Sequence, residues 1–103
     1  MSAPVLIPVE ACPRQHPNAA WRELDGAIVI ISPEDSVLHE LNETAGFVWK
    51  HASGQHSIAE IAAKLAEEYE VDSSTALADT QAFVAELCSK GLMLTGPGEA
   101  CHG

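Results

Sequence analysis

Basic side chains are scarce in this sequence. Five Lys and Arg stand against 15 Asp and Glu, giving a formal net charge of −10 over 103 residues. Binding a phosphate backbone depends on Lys and Arg displacing condensed counterions, and Arg14, Arg22, Lys50, Lys64 and Lys90 are scattered rather than clustered. No nucleic acid is expected as a partner, and an anionic membrane surface is disfavoured by the same repulsion. Also missing is any apolar run near the roughly 20 residues of a membrane span. The opening stretch MSAPVLIPVEACPRQHP lacks the basic region and long apolar segment of a secretory signal, so the expected compartment is the cytoplasm. Cysteine is sparse as well. The three present are widely spaced and odd in number, which predicts no disulfide framework.

Catalytic signatures are equally absent. There is no G-x-S-x-G, H-E-x-x-H or glycine-rich phosphate loop, and His39, His51 and His56 stand apart. His39 reads as a partly exposed strand residue, and the many carboxylates as solvated helix surface. Cys12 with His16, and Cys101 with His102, offer metal-ligand types without a zinc-finger spacing. The expectation is no metal, no cofactor and no enzyme, with Cys88 a small buried hydrophobe.

What is present is enough apolar residue, 47%, for one small globular domain. Pro4, Pro8, Pro13 and Pro17 interrupt residues 1–18, which read as an extended, mobile arm. Folding is expected over residues 19–95, with a flexible tail over 96–103. AWREL and AIVII flank Asp25-Gly26, a hairpin signal because both central residues of a type I′ turn need positive φ. The unbroken apolar run Ala27–Ile31 suggests a central strand covered on both faces. After the turn SPEDS, VLHEL alternates, with Val37, His39 and Leu41 on one face and Leu38 and Glu40 on the other. Three strands in succession make a meander whose first and third strands are edges.

Three helices follow. Asn42 is a natural N-cap, and Ala45, Val48, Trp49 and Ala52 give the first helix one apolar face. Ser57 and Glu60 fit a capping box ahead of Ile58, Ile61, Leu65 and Tyr69. Asp72, Ser73 or Ser74 can cap a third helix with Leu77, Thr80, Val84 and Leu87 on one face and Phe83 beside them, stopped by Gly91. LML then packs back as a short extended segment. The fold class is α+β: a three-stranded antiparallel meander followed by three helices, winged helix-turn-helix-like. The DNA-reading version would need bases in STALADT, which carries Asp79 and none. An exposed strand edge beside an apolar helix face instead suits the addition of a peptide strand.

The stretch Trp21–Met93 resembles the PqqD-like family. The resemblance rests on Leu41-Asn42-Glu43-Thr44 after the meander, Trp49, the run SIAEIAAKL, the turn YEVD, Asp79, and the pattern F-V-A-E-L-x-x-K-G-L. It implies a non-enzymatic peptide chaperone that binds the leader of a ribosomally made precursor and presents it to a modifying enzyme. That enzyme is a radical S-adenosylmethionine protein in pyrroloquinoline quinone (PQQ) biosynthesis, or a protease in a lasso-peptide system. The alternative from another class is a winged-helix transcription regulator. By the same resemblance, Val37, Leu38, His39, Glu40 and Leu41 supply the binding edge, and Leu77, Thr80, Phe83, Val84 and Leu87 are candidates for the helix wall.

Overall fold

A computed structural model describes residues 9–95. The elements run β1 (Pro13–Gln15), β2 (Ala20–Leu24), β3 (Ala27–Ile31), β4 (Leu38–Leu41), α1 (Glu43–His51), α2 (Ile58–Tyr69), α3 (Ser73–Ser89) and β5 (Met93–Thr95). The meander and the three helices are those expected. One sheet has the order β2-β3-β4, antiparallel throughout; β1 and β5 form a second, two-stranded antiparallel pair. Asp25 and Gly26 have φ of 50° and 84°, the two positive values of a type I′ turn.

The helices begin where their caps dictate. The Asn42 carboxamide oxygen accepts from Ala45 N at 2.9 Å, satisfying a first-turn donor that has no partner within α1. Ser57 and Glu60 form the reciprocal capping box, with bonds of 3.1 and 2.8 Å. Of the three candidates for α3, Asp72 is the cap: it accepts from Ser74 N at 3.1 Å, from Thr75 N and from the Ser74 hydroxyl. Gly91, at φ 74°, ends α3 in a Schellman arrangement, with Leu92 N donating to Leu87 O and Gly91 N to Cys88 O.

One core lies between the inner face of the meander and the helices. It contains Ile28, Ile30, Leu41, Val48, Trp49, Ile58, Ile61, Leu65, Val84, Leu87, Leu92 and Met93. Trp49 is fully buried, and Trp21 meets it edge-on, ring centroids 6.2 Å apart at 84°.

Three expectations change. Of residues 9–18 only Pro13–Gln15 form a strand, between turns, and backbone hydrogen bonds dock the segment against the helices. The carbonyls of Val9 and Ala11 accept from Ala59 N and Ile58 N, the unsatisfied first-turn donors of α2. Gln15 donates through its backbone N to Ala52 O and through Nε2 to Trp49 O, closing the end of α1, and His16 N reaches Leu92 O. Prolines forbid a helix here without forbidding a paired extended strand, and Pro13 takes the first strand position that proline tolerates. Second, β3 is covered on one face only: Ile28 and Ile30 are buried, Val29 is half-buried and Ile31 is exposed. Third, Cys12 is disulfide-bonded, where no disulfide was expected; Cys88 is the free cysteine among the described residues. Cys101 and His102 lie outside the described residues.

Candidate functional site

The backbone parity of the meander determines which groups its edges offer. The two-residue turn makes Leu24 and Ala27 a mutually hydrogen-bonded pair, so Ala27, Val29 and Ile31 direct their N–H and C=O groups to β2. Ile28 and Ile30 then serve β4, where they face Leu41 and His39. The bond from Ser32 N to Val37 O, 3.0 Å, fits the same alternation. Hence His39 and Leu41 spend their backbone groups on β3, while Leu38 and Glu40 point theirs away from the sheet. Those groups form the free edge of β4, which has a single neighbouring strand among the described residues.

Side chains alternate as well. His39 and Leu41 lie on the inner face, half-buried and buried; Leu38 and Glu40 stand on the outer face, both exposed. Leu38 is 65% exposed, the highest value among the exposed large hydrophobic residues. Val37, with the parity of the inner face, stays 45% exposed because it precedes the strand.

Both ends of β4 are held in place. At the start, Asp35 Oδ1 accepts from Val37 N at 3.2 Å, and Ser36 takes a φ of 58°. Hydrogen bonds from the Ser32 hydroxyl and from Val37 N–H hold the Asp35 carboxyl below its ordinary value. At the end, buried Leu41 leads into Asn42, whose oxygen accepts from Ala45 N and from the Thr44 hydroxyl. Leu41-Asn42-Glu43-Thr44 is therefore a joint that fixes strand against helix by capping.

The candidate helix wall divides. Thr80, Val84 and Leu87 are buried, and Thr80 satisfies its hydroxyl by donating to Ala76 O at 2.7 Å. They are core residues, which removes them from a peptide-facing wall. Their stripe packs toward the elements α3 contacts most, α2, α1 and β5, whereas β4 contacts β3 and α1. Leu77 and Phe83 remain half-buried at the margin of the core. Six residues apart, they lie about 120° apart around the axis, with the buried stripe between them.

One feature of the site escapes a reading of periodicity. Ala20, Leu24, Val29, Ile31 and Leu38 share the outer face of the sheet, and a shallow depression of about 240 Å³ lies among Ala20, Trp21, Arg22, Leu24, Val29 and Ile31. The unbroken apolar run of β3 is its sequence signal, since a strand buried on one face alone would alternate. Among the described residues no group of three or more His, Cys, Asp or Glu is arranged to hold a metal, and no helix is long and apolar enough to cross a membrane.

The fold has relatives among solved structures. The chain is similar to lasso peptide synthetase B1 complexed with its leader peptide, at 30% identity and TM-score 0.73, covering 82% of this chain and 99% of that one. It is similar to the solution structure of the PqqD truncation of Methylobacterium extorquens PqqCD, a stand-alone recognition element for ribosomally synthesized and post-translationally modified peptides. That match has 25% identity and TM-score 0.67, over 80% of this chain and 87% of the other. TbiB1 in complex with the TbiA(beta) leader peptide shares the fold at 20% identity and TM-score 0.71, over 78% and 93% of the two chains. No curated protein sequence matches. The model of coenzyme PQQ synthesis protein D matches residues 27–93, from the central strand of the meander into β5, and the chain belongs to the PqqD family.

Proposed function

We propose that this protein binds the leader segment of a ribosomally made precursor peptide as a strand added to β4, and presents the peptide to a modifying enzyme without itself catalysing a reaction. The observation that carries the reading is the free edge at Leu38 and Glu40, in a fold shared with leader-bound relatives. An unguarded strand edge invites pairing, and strand addition is a recurrent way of reading peptides. The two free edges of the sheet are not equivalent. On β2, the Glu23 side chain is tied to α1 by an ion pair with Lys50 at 3.1 Å, whereas β4 begins with exposed Leu38, preceded by exposed Val37.

A leader strand beside β4 would set alternate side chains toward the helices, level with His39, and toward the outer face, level with Leu38 and Glu40. The inner set would fill the space between β4 and α3 and rest against one flank, at Leu77 or at Phe83. The enzyme served would be a radical S-adenosylmethionine protein if the system is of the PQQ type. A protease-delivering role in a lasso-peptide system is the second reading, favoured by the fuller match to synthetase B1.

Calorimetric titration with the leader of a precursor encoded beside this gene tests the proposal. Binding should be retained by Trp21→Ala and lost in Glu40→Pro, which removes an edge-facing N–H without touching the β3 ladder. Unchanged affinity in a folded Glu40→Pro protein would exclude strand addition at β4.

A further inference from the structure

The outer face bears on which peptides this protein accepts. Cross-strand ladders run Ala20–Ile31–Leu38 and Arg22–Val29–Glu40, and each ends at the free edge of β4. A strand paired to that edge extends both ladders by one side chain, because residues opposite Leu38 and Glu40 fall on the same face, two positions apart. The first ladder presents Ile31, 43% exposed, and Leu38 to whatever comes next. The second presents an exposed carboxylate with an apolar neighbour, Val29.

Glu40 has no ion pair among the described residues, where Lys50–Glu23 and Lys90–Glu86 are the ion pairs present. Arg22, on the same face, is two strand spacings away, roughly 9.5 Å, with Val29 between. The groups flanking Glu40 along the chain are acidic or weakly basic: Glu34 and Asp35 in the preceding turn, His39 beside it, Glu43 beyond the joint. The remaining basic residues lie on β1, α1, α2 and the end of α3. The edge is thus an apolar position followed by an unneutralised negative one.

We infer that the leader carries an aliphatic residue opposite Leu38 and a lysine or arginine opposite Glu40, with one residue between them pointing to the helices. This inference rests on the strand-addition reading and adds a rule for the sequence of the bound peptide. Leu38 and Glu40 are the specificity determinants. Opposite charges directly across two strands attract and like charges repel, so the rule excludes acidic residues at the second position.

The test uses the full chain and a phage-displayed library of random dodecapeptides. Selection on the wild-type protein should enrich an aliphatic residue and a Lys or Arg two positions apart, and selection on Glu40→Lys should replace the basic residue by Asp or Glu. A peptide selected on the wild type should bind Glu40→Lys about 3–10-fold more weakly, and exchanging its basic residue for Glu should restore the loss. Glu40 is exposed, so the substitution leaves the core intact. Selected peptides that shift the amide signals of Leu38–Leu41 but show no basic preference and no response to Glu40→Lys overturn this inference while leaving strand addition standing. Peptides that bind without shifting those amides overturn both.

Discussion

Gly46 faces Ile28 so closely that a Cβ on Gly46 would lie 2.7 Å from Ile28 Cγ1. Ile28 in turn pairs with Leu41, the last residue of β4. The missing side chain therefore sets how near α1 comes to the sheet and, through Leu41 and Asn42, how the binding strand meets the helices.

Substituting Gly46 should expose that constraint. Alanine favours a helix over glycine by up to about 1 kcal/mol, but here it must displace a buried isoleucine. Overpacking of this kind costs typically about 1–3 kcal/mol. Gly46→Ala is expected to lower stability in urea denaturation despite the better helix former. A stabilised variant would show that α1 has room to move.

The cap at the joint should matter in the same region. Asn42→Ala removes the acceptor for Ala45 N and is expected to cost about 0.5–2 kcal/mol. Asn42→Asp, which keeps an acceptor and adds negative charge at the helix start, should restore most of it. Failure of the aspartate to do better than alanine would point to a role for Asn42 other than capping.

Acid should loosen the caps together. Hydrogen bonds from the Ser57 backbone hold Glu60 below its ordinary 4.5, and the Ser74 hydroxyl and the N–H groups of Thr75 and Ser74 hold Asp72 below 3.8. A carboxyl depressed in the folded state contributes stability in full above its unfolded value, and that contribution is lost as pH falls through the folded one. The contribution of these caps to denaturation midpoints should be full and independent of pH between about pH 7 and about pH 5, then decline below about 4.5. Asp72→Asn should shallow that acid fall, and an unaltered slope would contradict the assignment of the cap.

Much of this was legible in the chain because it is local. The Asp-Gly turn, the alternation of VLHEL, and the caps at Asn42, Ser57 and Asp72 depend on neighbours within a few residues. The type I′ turn even carries the edge parity, since it determines which residues of β3 face β2. What was illegible is non-local. Pairing of β1 with β5 joins residues some eighty positions apart, and nothing in PRQ announces it. The α3 pattern marks an apolar face, yet Thr80, Val84 and Leu87 proved to be its buried centre, with Leu77 and Phe83 on opposite margins. Periodicity specifies a face, not which neighbour covers it.

Leu77 and Phe83 can be told apart on that basis. Leader binding should perturb the methyl signals of Leu77 or the ring signals of Phe83, with the other flank quiet. Equal responses on both flanks would require the peptide to cross the buried stripe, or α3 to rotate.

Proline scanning of β4 should follow parity. His39→Pro removes a donor committed to β3 and should destabilise the sheet, whereas Leu38→Pro should leave it folded and fail only in binding. The reverse pattern would mean that the register is shifted by one.

Amide hydrogen exchange along β4, with and without the leader, tests the central claim most directly. In the free protein His39 and Leu41 should be protected by β3, while Leu38 and Glu40 exchange fast. On binding, Leu38 and Glu40 should slow by at least about tenfold, the effect of a hydrogen bond worth about 1.4 kcal/mol. Protection gained instead at Trp21 and Glu23 of β2, or at no strand edge, would contradict the account.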